Sequence, residues 1–290
     1  MSDYLLMSDV TADVSDSMMA GVAPVELLPM PVEIGGTDFL YGTPESMTMS
    51  EFYRRQREGQ FAATAQITPT AYLEAFEPLL ARGKDILYLC FTSGLSGSWE
   101  SVLLAERELR ERHPDRRFVC VDTLCASVGE GFLVREAARM KAEGMGLEAL
   151  AAWVEARRLE VCHWFTVDGF THLRHGGRVS PAAAAIGSVL NIKPLLHVDD
   201  EGRLAVAQKP RGMKAAMAAQ LAHMREGWKP ENGKLVVIGH GDCLDRAHLL
   251  GEKVLEEFPD AEIHYAWIGP VIGAHTGPGM LALIYWGSNR

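Results

Sequence analysis

Ile86-Leu87-Tyr88-Leu89-Cys90-Phe91 runs directly into Thr92-Ser93-Gly94-Leu95-Ser96-Gly97-Ser98, and this junction decides the fold class. The apolar run has the length and continuity of a strand buried on both faces, as in a parallel sheet. Beyond the hydroxyl-rich turn, Trp99, Val102, Leu103 and Leu109 fall near helical spacing, and Glu106, Arg107, Glu108 and Arg110 supply a polar face. A strand that turns through serines and glycines into a helix gathers backbone N–H groups and the positive end of the helix dipole at one spot, where a carboxylate or phosphate can dock. Ser93, Ser96 and Ser98 also read as plain helix caps. The segment alone does not choose between the two.

Outward from this junction the first half keeps alternating. Strand candidates are residues 4–7, 23–34, 86–91 and 118–121. Thr48-Met49-Ser50-Glu51 is a capping-box pattern that opens a helix to about residue 57. Thr68 followed by Pro69 offers a cap and a first-turn proline for a helix to residue 81. Residues 129–143 and 147–158 also carry helical spacing. Such alternation implies a parallel sheet with helices on both faces. A second alternating unit starts near Val161, with strands at 161–167, 192–198, 204–208, 234–240 and 262–268 and helices at 179–190, 212–225 and 243–258. Asp199-Asp200-Glu201-Gly202 joins two of these strands as a hairpin turn. The expected fold class is α/β, with an N-terminal domain over 1–160 and a second α/β domain over 161–280. The final apolar run, 281–286 within the segment 281–290, is expected to return to the first sheet.

Composition narrows the function. The chain has 290 residues, 48% of them hydrophobic, and a formal charge of −10 with its Lys and Arg scattered. That argues against a nucleic-acid or anionic-membrane surface, so any anionic ligand is held locally. No apolar stretch of about 18 residues is present to span a bilayer, and the N-terminus lacks a secretory signal pattern. The cysteines, Cys90, Cys120, Cys125, Cys162 and Cys243, are odd in number and contain no C-x-x-C pair. Reduced thiols and a cytoplasmic location are the expectation.

Three further polar segments sit at the ends of apolar runs, where open α/β sheets bind ligands. Ala63-Thr64-Ala65-Gln66-Ile67-Thr68-Pro69 leads into a capped helix. Leu173-Arg174-His175-Gly176-Gly177-Arg178-Val179-Ser180-Pro181 combines close backbone approach with an arginine suited to bidentate recognition of an oxyanion, and Ser180-Pro181 starts a helix. Residues 268–279, which include His275, are too rich in Gly and Pro for regular structure and read as a shaped loop. Taken singly, each also reads as a surface loop, a surface arginine and a structural histidine. His172 and His175 lack the companions of a metal site, so none is expected. Cys125 with His275 is a weak nucleophile pair, since free cysteines usually serve as small core hydrophobes. The G-x-S-x-G elbow, the Walker A lysine and the G-x-G-x-x-G turn are all absent.

Taken in order, these segments resemble the DegV family of fatty-acid-binding proteins over essentially the whole chain. Ser8-Asp9-Val10-Thr11-Ala12-Asp13-Val14 is similar to the family's T-D-S-T-A-D-L, and Thr64-Ala65-Gln66-Ile67-Thr68-Pro69 to T-S-Q-P-S-P. The segment from Thr92 to Ser101 resembles S-S-G-L-S-G-T-Y-Q-S, and Val121-Asp122-Thr123 with Ala126-Ser127 and Gly129 to Gly131 resembles V-D-S followed by A-S-x-G-x-G. Gly176-Gly177-Arg178-Val179-Ser180 is similar to G-G-R-I-S, and Ile192 to Leu196, Lys209 to Gly212 and Gly269 to Gly279 complete the set. Val10, Ala65 and Ile67 depart from the pattern, and the family's Y-x-D-G turn is blurred at residues 37–42.

The resemblance implies two α/β domains with a long acyl chain, of the C16–C18 class, buried beside a carboxylate held at the interdomain cleft. It implies that Thr64 and Ser93 bind that carboxylate, with the Gly94 N–H nearby, His275 at the opposite lip and Arg178 close to the same charge. It also implies a carrier that presents the acid to a separate fatty acid kinase, with no cofactor of its own and with ATP chemistry left to the partner. An acyl ligand is physically sensible, since about 15 methylenes at about 0.8 kcal/mol each contribute about 12 kcal/mol before ordering costs. A rival reading is an acyl transferase or hydrolase with Ser93 as nucleophile and His275 as base, Asp9 or Asp122 orienting the imidazole in space. A lipid-sensing regulatory protein is a third.

Overall fold

A computed structural model of the chain describes residues 4–179 and 191–290. The helix expected at 179–190, including Ser180-Pro181, lies outside the described residues apart from Val179. The strands are β1 (Tyr4–Asp9), β2 (Glu26–Leu28), β3 (Met30–Ile34), β4 (Thr37–Tyr41), β5 (Ala62–Thr64), β6 (Asp85–Cys90), β7 (Phe118–Asp122), β8 (Val161–Thr166), β9 (Leu195–Val198), β10 (Leu204–Gln208), β11 (Leu235–His240), β12 (Glu262–Trp267) and β13 (Leu281–Trp286). The first sheet runs β2-β1-β6-β7 and is parallel throughout, as the buried run at β6 implies. The second runs β10-β9-β8-β13-β11-β12 and is mixed, with β11 and β12 its parallel pair.

Side-chain alternation along the strands assigns each face to its own core. Ile86, Tyr88 and Cys90 of β6 pack with Tyr72 and Phe76 under the helices Pro69–Ala81 and Ser98–Arg112. Leu87 and Leu89 point the other way, into a core shared with Phe132, Val134, Phe165, Ile284 and Trp286. The helix Val128–Ala142 therefore lies between the two sheets and packs on β8, β11 and β13. The outer face of the second sheet, Trp164 and Leu283 among it, is covered by the helices Met213–Gly227 and Leu244–Glu257. No helix among the described residues is long and apolar enough to cross a membrane.

Three expectations are corrected. β13 does not return to the first sheet: it pairs antiparallel with β8 on one side and β11 on the other, at the centre of the second. Residues 23–34 are two strands, because Pro29 has no N–H to give a ladder; β2 joins the first sheet and β3 a small antiparallel sheet of order β4-β3-β5. Residues 268–279 contain a helix, Pro270–Thr276, with proline in its first turn and Gly277 ending it at φ +75°. Thr48 and Thr68 cap their helices, accepting from the Glu51 and Ala71 N–H groups, while the Glu51 carboxylate bonds to Arg54 and Arg55 instead of closing the capping box.

Candidate functional site

A cavity of about 240 Å³ opens where the two sheets and the small sheet meet. β5 is held in register by β3, Thr64 opposite Val32, and ends at the rim, so the Thr64 side chain joins the cavity wall. The helix Pro270–Thr276 brings His275 to the same place, and Thr64 Oγ1 lies 2.9 Å from His275 Nε2. Arg178 lines the wall from the second half of the chain, where its Nη1 donates to the Gly176 carbonyl at 2.5 Å. Gly176 has to be glycine, since a Cβ there would come within 2.1 Å of His275 Nδ1.

Burial first, then the Arg178 and His175 charges, pushes the His275 imidazole down to about 4. It is neutral at physiological pH, and Arg178 supplies the positive charge. Burial also pulls Arg178 below the usual arginine range, though a guanidinium stays protonated. The rest of the wall is mostly apolar, with Leu95, Val128, Phe165, Leu173, Ala282 and Ile284, and is interrupted by polar residues such as Thr11, Gln66 and Ser127. The arrangement can hold an anion beside Arg178 and a hydrocarbon along the apolar wall.

Thr64, Arg178 and His275 are thus brought together, and Ser93 and Gly94 are not among the residues that line the cavity. After β6 the chain makes a turn whose N–H groups are used internally. The Ser93 N–H donates to Asp122 Oδ1 at 3.2 Å and the Gly94 N–H to Thr92 Oγ1 at 3.1 Å. Gly94 packs against Gly202, where a Cβ would meet backbone at 2.5 Å. The segment after β6 reaches the wall at Phe91 and from Leu95 to Ser98. There Ser96 Oγ accepts from the Ser98 N–H at 3.2 Å, but the residue at the helix N-cap is Gly97, with no side-chain cap bond, so the expected serine cap is corrected.

The enzymatic pairings lose their geometry. His275 bonds to Thr64. Asp9 accepts from Thr11 and Tyr88, and Asp122 from the Ser93 and Leu124 N–H groups. Cys125 bonds toward Arg158 and Arg290, its thiol pushed up to about 11 by burial. No group of His, Cys, Asp and Glu among the described residues is arranged to hold a metal ion. Thr11, Gln66, Ser127 and His163 line the cavity and were not singled out from the sequence as site residues. For His163 the signal was present: strand alternation puts it on the face of Val161 and Phe165.

An α/β fold with a mostly apolar cavity between its sheets defines a small-molecule-binding class. The family model described as an uncharacterised protein of the DegV family matches residues 4–287, and the chain belongs to that family. A DegV domain-containing protein of Clostridium perfringens is 37% identical over 290 residues, covering 100% of this chain and 99% of that one. A DegV family protein from Thermus thermophilus, solved for its fatty acid binding, superimposes with a TM-score of 0.85 at 29% identity over 98% of this chain and 99% of that chain. The Fak B3 protein of the Streptococcus pneumoniae fatty acid kinase, loaded with linoleic acid, shares the fold at a TM-score of 0.86 and 22% identity, covering 99% and 100%.

Proposed function

We propose that this protein binds one long-chain fatty acid, its carboxylate at Thr64, Arg178 and His275 and its chain in the apolar cavity, and presents the carboxylate to a separate fatty acid kinase. The observation that carries the reading is a mostly apolar cavity wall on which Thr64 and His275 lie in contact and Arg178 supplies a positive charge. Burying a carboxylate without a partner is expensive, and Arg178 offers the countercharge. Thr64 Oγ1 and His275 Nε2 share one hydrogen bond, and in the tautomer with the proton on Nε2 the imidazole donates and the threonine proton is left for the ligand. The Thermus thermophilus relative supports the ligand class, and the kinase partner rests on the family resemblance. The protein supplies binding and orientation, and phosphoryl transfer belongs to the partner. Its five free cysteines support a reducing, cytoplasmic setting.

Mass spectrometry of the purified protein under native conditions, then after denaturation and organic extraction, tests this directly. The expected result is a near-stoichiometric fatty acid released only on denaturation. A protein that is empty and takes up neither palmitic nor stearic acid would sink the reading. Thr64→Ala should weaken retention by about 1–3 kcal/mol, the cost of a lost hydrogen bond to a buried charge, and Ser93→Ala should leave it unchanged. The opposite ranking would move the carboxylate to the turn after β6.

A further inference from the structure

We infer that β13 sets the length of acyl chain this protein accepts: Ala282 leaves the chain room over the second sheet, and Ile284, backed by Trp286, stops it. The inference rests on the fatty-acid reading above and names the part of the cavity that selects among such acids. Strand alternation sends Ala282, Ile284 and Trp286 to the inner face of the second sheet, into the central core, and Leu281, Leu283 and Tyr285 to the outer face. β13 lies between β8 and β11 in that sheet, so its inward side chains have neighbours on both sides.

The ladder registers arrange these neighbours in rows. Ala282 stands between Phe165 of β8 and Gly239 of β11, Ile284 stands between His163 and Val237, and Trp286 stands beside Val161. The surface of the sheet therefore rises along β13, from glycine and alanine to valine and isoleucine and then to tryptophan. Gly239 keeps the first row low: a Cβ there would fall 2.7 Å from Val128 Cγ2, and Val128 is itself a wall residue. The cavity follows this slope. Phe165, Ala282, His163 and Ile284 line it, and neither Val161 nor Trp286 does. Trp286 gives no ground beneath Ile284, because Phe132 and Trp153 meet its ring edge-on with centroids 5.0 and 6.1 Å away. Thr64, Arg178 and His275 belong to the wall of the same cavity, so an acid anchored there has β13 within its reach. Each methylene that finds room adds to the affinity, whereas one that meets close-packed side chains has to force them apart. Affinity therefore climbs with chain length until the tail fills the space over Ala282 and falls once it meets Ile284.

The test is a displacement titration of delipidated protein with lauric, myristic, palmitic, stearic, arachidic and behenic acids. Ala282→Leu should move the tightest-bound acid to a shorter chain and weaken stearic acid roughly tenfold relative to lauric acid. Ile284→Ala should move the optimum to a longer chain. The readout is the ratio between acids, which a general loosening of the fold does not imitate because it lowers all of them together. Ala282→Val and Ile284→Val alter the same positions by less, and should shift the ratio in the same two directions if the larger replacements do not fold. An optimum that stays at one chain length in every variant, an equal loss for all acids, or shifts opposite to these overturn the inference and leave the fatty-acid reading standing. Affinity that still rises at behenic acid in the parent also overturns it. A parent protein that binds none of the acids overturns both.

Discussion

At the scale of single residues, the densest chemistry lies beneath the cavity wall, where Asp9, Asp13 and Glu130 are all buried. Thr11 has one hydroxyl proton and two carboxyl neighbours, in close contact with Asp9 Oδ1 and 2.8 Å from Glu130 Oε2. Asp9 also accepts from the Thr11 N–H at 3.0 Å and from Tyr88 at 2.9 Å, the donors that suit a charged carboxylate. Glu130 meets only the Thr11 and Ser8 hydroxyls, and Ser8 has the Leu89 carbonyl to supply at 2.8 Å. Glu130 therefore holds a proton and donates it to Thr11, in keeping with the burial that pushes its carboxyl well above the usual range. Asp13, bonded to Ser127, is pushed up to about 8 by burial and secondarily by the Asp9 charge, against the pull of hydrogen bonds from Ser127 and Gly269.

A carboxyl whose folded pKa is raised contributes stability that is full below its unfolded value, near 4, and lost as pH rises toward the folded value. Parent protein should therefore lose stability relative to Asp13→Asn as pH rises from about 5 to about 8, and no further above that. The difference between the two isolates Asp13 from the buried histidines His163 and His275, whose depressed values act in the opposite direction on acidification. Urea titrations across this range would measure it, and a constant difference between the two proteins would mean that Asp13 keeps one protonation state throughout.

At the scale of elements, the helix Pro270–Thr276 is the instructive case. Its glycine at position 273 costs helix propensity, yet Tyr53 leaves no room for anything larger: a Cβ would sit 2.7 Å from its hydroxyl. Tyr53 in turn donates to the Ile268 carbonyl at 2.7 Å, and Gln56 Nε2 donates to the Gly273 carbonyl at 2.9 Å. These bonds fasten the helix that carries His275 to the helix Met49–Arg57. Gly273→Ala should accordingly destabilise the protein by about 1–3 kcal/mol through overpacking, although alanine is the better helix former. Tyr53→Phe in the same chain should recover part of the loss. A gain in stability from Gly273→Ala alone would show that the two helices have slack between them.

The same element marks how far the sequence is legible. Runs of one period, such as β1, β6 and β7, and helices with side-chain caps at Thr48 and Thr68 can be read because one local force decides each. Residues 268–279 cannot, because the contacts that favour helix over loop lie at Tyr53 and Gln56, more than two hundred positions away. β4 was missed although Gly35-Gly36, at φ +57° and +75°, is a hairpin turn between two strands. β13 is visible as a strand but carries nothing that names its neighbours. Thr64, Arg178 and His275, polar residues at the ends of apolar runs, all line the cavity. Of the serines after β6, Ser96 and Ser98 line the cavity and Ser93 does not, a difference that composition does not carry.

At the scale of the whole molecule, the two sheets share one core. Trp286 of β13 meets Phe132 with ring centroids 5.0 Å apart and Trp153 at 6.1 Å, so β13, the helix Val128–Ala142 and the helix Leu147–Arg157 interlock. Further ties cross between the halves. Thr92 donates to the Gly202 carbonyl at 3.0 Å, and Arg290 bonds to the carbonyls of Leu124, Arg158 and Asp199. A helix buried between two sheets leaves neither sheet a complete core without the other, so the molecule should unfold in one cooperative transition. Phe132→Ala, which removes a fully buried ring from the middle of that core, should cost about 3–5 kcal/mol and lower the single transition rather than divide it. Tryptophan fluorescence and far-UV circular dichroism followed in the same urea titration should then share one midpoint in parent and variant alike. Separate midpoints would mean that the sheets fold as independent units and that the ligand cavity lies on a joint between them, free to open without global unfolding.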